Sequence, residues 1–339
     1  MPLVDHDKYV AMLESAKTQG YAYPAINFTS SDSITAAIQG FAEAESDGII
    51  EISSGGATYA SGKIPNDPVS GSLGLAAYVH EVAKKYPINI ALHTDHCPAK
   101  WLDGWLKPIL AHEIDQVKHG QAPAFNSHMW DGSMIPLDEN LKIASEVLDL
   151  CVQAQAILEV EIGAVGGEED DVAAKDNQHL YTTTEDALKA VDALGAGEKG
   201  VYMTALTFGS VHGVIKPGTV KLRPDLLSKI NREVGERIGK PNPFYLVFHG
   251  SSGSSDEEIR EAVRNGIVKM NVDTDCQYAY TKAIVEYMTQ NHDGILGVND
   301  LPNKSLFDPR KWNAKGQQSM ADHVGRVCEL LGSAGKTLN

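Results

Sequence analysis

A rhythm constrains this chain more than any single motif. Eight apolar runs of strand length recur along it: YPAINF (23–28), GIIEISS (48–54), INIALHTD (88–95), PAFNSHMWD (123–131), AILEVEIG (156–163), GVYMTALTFG (200–209), FYLVFHG (244–250) and GIVKMNVDTD (266–275). Most are continuously apolar, the mark of parallel strands buried on both faces. The stretches between them have helical character. SSDSITAAIQGFAEAES opens on capping serines and an aspartate, and PLDENLKIASEVLDLCVQAQ sets Leu141, Ala144, Val147, Leu148 and Cys151 on one stripe. RPDLLSKINREVGERIG ends in a C-cap glycine, and SDEEIREAVRNG joins an acidic start to a closing glycine. Eight strand–helix repeats in 339 residues predict a (β/α)8 TIM barrel. A doubly wound open sheet competes, but no G-x-G-x-x-G follows the first strand. Three segments exceed a minimal barrel: a leading helix (5–19), a long loop after the fifth strand (164–183) and a tail (293–339). No linker divides the chain, so one domain is expected over 1–339, its tail packing on the barrel or across a dimer.

Charge narrows the partners. The formal net charge is −16, from 29 basic and 45 acidic residues, which argues against a nucleic-acid or anionic-membrane surface. An anionic substrate is still admissible where backbone amides and a metal supply positive potential locally. Cys97, Cys151, Cys276 and Cys328 form no C-x-x-C pair and read as reduced thiols. The N-terminus carries Asp5, Asp7 and Lys8 without a long apolar run, and no segment reaches the ~18 apolar residues of a membrane helix. A cytoplasmic location is expected.

Chemistry collects at the strand ends, which in such a barrel form the active face. The third strand delivers His93, Asp95 and His96, and the fifth delivers Glu159 and Glu161. His212 follows the sixth, His249 the seventh, and Asn271, Asp273 and Thr274 close the eighth. Three imidazoles with an open fourth position suit a catalytic zinc ion, and His96, His212 and His249 share one rim. His6, His80, His112, His119 and His292 fall on helices or in turns and read as surface or packing residues. Glycines beside His212 and His249 let backbone amides approach a ligand, with Ser252 and Thr274 adding hydroxyls and the helix starting at SSDEEIREAV pointing the same way. Such turns after the last two strands are the usual phosphate cradle of this barrel. GGEEDD after the fifth strand reads as a glycine-hinged lid whose Glu168 and Glu169 are candidate proton acceptors.

These residues sit inside longer motifs: YPAINFTSSDSITAAI, ISSGGATYASGK, LHTDHC, FNSHMWD, LEVEIGAVGGEEDD, FGSVHGVIKPG, FHGSSGS, VKMNVDTDCQYAY and FDPRKW. In that order and nearly end to end, the chain resembles the class II, metal-dependent fructose-1,6-bisphosphate aldolases of the longer dimeric subgroup. The resemblance implies zinc on His96, His212 and His249, with Glu161 near the metal in an alternative position and Asp131 supporting a metal-site histidine or a second metal position. It implies that Asp95 handles the proton on the aldehyde-derived oxygen, and that Glu169, beside Glu168, removes the carbon-bound proton. The ketone-side phosphate would lie against Gly213, Gly250, Ser252, Asn271, Asp273 and Thr274, with Lys216 adding charge and a monovalent cation (Na+ or K+) alongside. Asn27 and Ser53 would touch the substrate. A homodimer and a place in glycolysis and gluconeogenesis are implied too.

The chemistry is coherent. Breaking the carbon–carbon bond beside a ketone leaves an enediolate, and a Lewis-acid metal stabilises its charge without a lysine imine. Two positions depart from the family pattern. Ser251 replaces a glycine of H-G-G-S-G-S, although its backbone amide remains. The tail arginine that the family tends to give across the dimer to the distal phosphate is replaced by His323, with Arg326 one turn later, and these two are the candidates for that phosphate. Competing functions are a tagatose 1,6-bisphosphate aldolase, a Schiff-base aldolase on Lys269, a zinc phosphohydrolase and a non-catalytic relative. Lys269 is more readily explained by an acidic neighbour inside the barrel.

Overall fold

The computed structural model describes residues 3–163, 181–210, 222–298 and 300–338, together with the backbone of two short paired strands, Gly166–Gly167 and Val211–His212. Eight parallel strands close into a barrel: β1 (Tyr23–Asn27), β2 (Gly48–Ser53), β3 (Ile90–Pro98), β4 (Ser127–Asp131), β5 (Ile157–Ile162), β6 (Tyr202–Leu206), β7 (Tyr245–Phe248) and β8 (Ile267–Val272). Around the ring each strand neighbours its sequence successor, and β8 closes on β1. β3 therefore stands across the mouth from β7.

Each expected strand is present, with two shifts. The fourth begins at Ser127, although just ahead of it the Asn126 backbone already bonds Leu92 of β3 and Ile157 of β5. The third continues past Asp95 to Pro98 through a register shift between Thr94 and Cys97.

Two apolar layers hold the barrel. The larger lies between strands and surrounding helices and includes Ile26, Ile50, Leu92 and Val160. The smaller fills the barrel's lower interior with Tyr23, Ala25, Ile49, Ala91, Ile157 and Val247. The helix His6–Gln19 seals that end. Asp5 caps it by accepting from the Lys8 amide at 2.8 Å, and Gly20 ends it at φ +71°. It buries Tyr9, Met12, Leu13 and Ala16, one stripe at helical spacing, and each large apolar side chain so buried contributes roughly 1.5–3 kcal/mol. With the floor closed, chemistry is confined to the opposite mouth.

The tail packs on the barrel. Its helix Pro309–Leu331 lies against the helices Ser31–Glu43 and Thr274–Gln290, burying Met320, Val324, Val327, Cys328 and Leu331. Gly40 permits the approach, since a Cβ there would lie 2.6 Å from the Ala321 carbonyl oxygen and 2.7 Å from Val324 Cβ. Among the described residues no helix is long and apolar enough to cross a membrane, and the four cysteines are free and buried.

Candidate active site

Register stacks the polar side chains in two layers. Asn27, Glu51, His93 and Ser127 align on neighbouring strands, and one step higher Ser53 aligns with Asp95. His93 therefore belongs below the rim and not at the mouth, where its place beside Asp95 and His96 in sequence had set it. Its Nδ1 lies 2.7 Å from Ser127 Oγ, and burial pushes its pKa down to about 3, with Lys269 adding to the effect. It is a neutral interior residue. His128 points outward to Glu113 Oε2 at 2.8 Å and Thr94 Oγ1 at 2.9 Å.

His96 reaches the mouth because the chain bulges there. Its φ of +40° is unusual for a residue with a side chain, and the β3–β4 register shifts at the same place. The turn brings its Nδ1 to 3.0 Å from Asp131 and 3.9 Å from Glu161, and its Nε2 to 3.8 Å from Asp95. The His249 ring stands 4.7 Å from the His96 ring, centroid to centroid. Its Nδ1 is 3.2 Å from Glu161 Oε2 and its Nε2 is 2.7 Å from Glu159 Oε1.

This donor set suits a divalent cation. Burial opposes charge on both imidazoles, yet the carboxylates win: Asp95 and Asp131 hold His96 well above its ordinary pKa, and hydrogen bonds to Glu159 and Glu161 lift His249 to about 9. The carboxylates draw positive charge to this spot, and a bound dication replaces such protons. Ligand atoms of Asp95, His96 and His249, and separately of His96, Asp131 and Glu161, lie within 4.8 Å of one another. The His212 side chain lies outside the described residues. Its backbone pairs with Gly167 at the barrel top. Glu168, Glu169, Gly213 and Lys216 are likewise outside them.

Asp95 is fixed on both oxygens. The Asn27 amide donates to Oδ2 at 2.9 Å and the Asn271 amide to Oδ1 at 3.0 Å. Burial pushes its pKa up, but His96 and then Lys269 outweigh burial and keep it below the ordinary carboxylate value. Asp131 is held low in the same way, with burial overcome by the His96 hydrogen bond and charge and by Ser133.

Beneath lies a buried ion cluster that the sequence reading did not assemble. Lys269 Nζ sits 3.1 Å from Glu51 and 3.0 Å from Glu159, and donates to Asn271 Oδ1 at 2.5 Å. Burial disfavours its charge, but Glu159 and Glu51 more than restore it. Pairing with acidic neighbours thus accounts for Lys269, and an ammonium so held is no imine-forming nucleophile. Sequence position alone sets Glu159 with Glu161 at the rim. It shares that parity one layer deeper, as the acceptor behind His249.

A cleft of about 530 Å³ opens above. Its wall includes Asn27, Ser53, Asp95, His96 and Asp131, and on the far side Gly250, Ser252, Asn271, Asp273 and Thr274, so ten of the sequence-predicted positions converge. Gly250, at φ +64°, turns the chain after β7 into this wall. Ser251, the departure from the family motif, donates its hydroxyl to the Asn271 carbonyl at 2.9 Å and ties the two turns together.

One helix assignment changes. The helix Asp256–Arg264 fills its own first turn with a Ser255–Glu258 capping box, and the helix Thr274–Gln290, with no side-chain cap, begins in the cleft wall. His323 and Arg326 are absent from that wall. Both lie on the helix Pro309–Leu331, His323 with Nε2 buried and Arg326 in a groove with Glu43, Glu45, Asp322 and Glu329 of its own chain. Lys100, Trp101 and Met134 line the cleft without having been singled out in the sequence. They sit in loops with no motif to mark them.

Comparison with known proteins adds independent information. Residues 7–336 match the family described as Fructose-bisphosphate aldolase class-II. The fructose-bisphosphate aldolase of Streptomyces galbus is 52% identical over 339 residues, covering 100% of both chains. That of Mycobacterium tuberculosis (strain ATCC 25618 / H37Rv) is 52% identical over 342 residues, covering 100% of this chain and 99% of the other. Among solved structures, fructose-bisphosphate aldolase from Campylobacter jejuni superposes with a TM-score of 0.88 at 34% identity, covering 99% of this chain and 97% of the other.

Proposed function

This chain belongs to the class-II fructose-bisphosphate aldolase family, and on that premise we propose that it cleaves fructose 1,6-bisphosphate reversibly to dihydroxyacetone phosphate and glyceraldehyde 3-phosphate, in glycolysis and gluconeogenesis. The whole chain, 1–339, works as one catalytic unit and as a homodimer in the cytoplasm.

His96, His249 and the His212 that follows β6 hold the metal, with Glu161 and Asp131 as alternative or supporting ligands. The family implies a divalent ion, and a site rich in imidazole favours zinc. Bound there, it supplies Lewis-acid polarisation of the ketone carbonyl and the neighbouring hydroxyl.

The chain's own residues manage position and protons. Asp95 accepts the proton of the hydroxyl that becomes the aldehyde oxygen. The bond between the third and fourth carbons breaks, and its electron pair stays with the ketone half. Glu169, beside Glu168, returns a proton to the third carbon; in the reverse direction it removes that proton. Asn27 and Asn271 orient Asp95 so that one lone-pair direction faces the substrate. Backbone amides at Gly213 and Gly250, hydroxyls of Ser252 and Thr274, and the start of the helix Thr274–Gln290 receive the ketone-side phosphate, with Asp273 beside a monovalent cation (Na+ or K+) and Lys216 adding charge. Ser53 touches the sugar from the β2 side.

The observation that supports this reading most is Asp95, clamped on both oxygens and 3.8 Å from a metal-site imidazole. Asp95→Ala is expected to lower kcat for fructose 1,6-bisphosphate by roughly 10²–10⁴, the usual worth of a placed general base, while bound metal stays near the parent's content. A variant that keeps parental kcat refutes the role. Running tagatose 1,6-bisphosphate in parallel tests the substrate, and a clear preference for that sugar overturns the choice of fructose.

A further inference from the structure

A ketose bisphosphate carries phosphate at both ends, with the scissile bond between. Asp95 and His96 mark the middle of the cleft, and the turns after β7 and β8 take one end. A substrate extending from β7 past the metal must place its other end near β3, the strand across the ring. Just beyond β3, Pro98 stops the strand and a short turn, Ala99–Trp101, carries Lys100 to the cleft wall.

Lys100 is the one lysine or arginine among the described residues lining the cleft, and the same wall holds three carboxylates, Asp95, Asp131 and Asp273. Lys100 is exposed and, among the described residues, pairs with no carboxylate. Lys100 thus brings positive charge to an otherwise acidic cleft wall, across the ring from the turn after β7. His323 and Arg326 of the same chain do not line this wall.

We infer that Lys100 receives the distal phosphate and so makes the enzyme prefer bisphosphates over ketose 1-phosphates. The inference rests on the aldolase reading above. As a point charge on a flexible stem, Lys100 adapts to a phosphate without demanding one geometry, and its contribution is screened by salt.

The test compares fructose 1,6-bisphosphate with fructose 1-phosphate in the parent, Lys100→Met and Lys100→Arg. Losing one charge-assisted contact at a partly exposed site is expected to cut the ratio of kcat/KM on the bisphosphate to that on the 1-phosphate by about tenfold. The loss should fall on KM, shrink at high salt, and be largely rescued by arginine. A ratio within twofold of the parent's, or equal losses on both substrates, overturns the assignment. A parent that cleaves neither substrate instead removes the aldolase reading beneath it.

Discussion

Lys269→Met is the most informative single change in the barrel interior. The parent ammonium lies between Glu51 and Glu159, 3.1 and 3.0 Å away, with all three side chains fully buried. Removing one member of a buried ion cluster costs about 3–5 kcal/mol, because an uncompensated charge stays behind. Glu51 softens that cost. Burial, then the nearby Asp95, raises its pKa to about 8 in the folded protein despite Lys269. Near neutral pH it already carries a proton for much of the time, so Lys269 chiefly neutralises Glu159 there. The loss at pH 7 should fall at the low end, about 3 kcal/mol. The sign with pH then follows. A carboxyl whose folded pKa exceeds its unfolded value stabilises the fold while protonated, and that contribution is lost as pH rises through the folded pKa. In the parent the loss ends near pH 8. In the variant the Glu51 pKa climbs further, so the decline continues, and the stability gap should widen by up to about 1.4 kcal/mol per pH unit above that point. Urea unfolding of both metal-saturated proteins, followed by tryptophan fluorescence and checked by far-UV dichroism, measures the gap. The double variant Lys269→Met/Glu51→Gln should lose the widening, since nothing at position 51 titrates. A gap below 1 kcal/mol at pH 7 (against the ~3 expected) that stays constant to pH 9 refutes the reasoning.

Other expectations follow from single contacts. Glu159→Gln removes the carboxylate that accepts from His249 Nε2 at 2.7 Å, and should weaken divalent-metal affinity by about 10–100-fold in competition with a chromophoric chelator; unchanged affinity would show that Glu159 does not orient the ligand. Gly40→Ala drives a methyl into Ala321 and Val324 and should destabilise the protein by roughly 1–3 kcal/mol in urea unfolding, whereas a neutral result would mean the tail helix yields freely. Borohydride with substrate should add no mass at Lys269, and a reduced adduct there would restore the imine route.

The barrel was legible because parallel strands buried on both faces leave continuous apolar runs, and runs such as ILEVEI could not hide. The convergence of His96, Asp95, Asp131, Ser252 and Thr274 was legible because one end of every strand must meet at the same mouth. Depth was not. Glu159 and Glu161, or His93 and Asp95, differ by two residues and share parity, so only interstrand register shows which of each pair faces the cleft. The bulge that turns His96 was equally hidden, since His-Cys-Pro carries no strand or turn signal that fixes a positive φ. Lys100 escaped for a different reason: an exposed lysine in a short turn is ordinary until the ring order sets β3 across from β7.

The central claim is that imidazoles from separate strands hold a dication without which the carbon–carbon bond does not break. Metal content and cleavage of fructose 1,6-bisphosphate, measured on the same sample while a chelator strips it and zinc is titrated back, test it most directly. Activity should fall to background with the ion and return in proportion to the zinc regained, reaching a plateau near one per chain. Undiminished cleavage by protein shown to contain no metal would contradict the account.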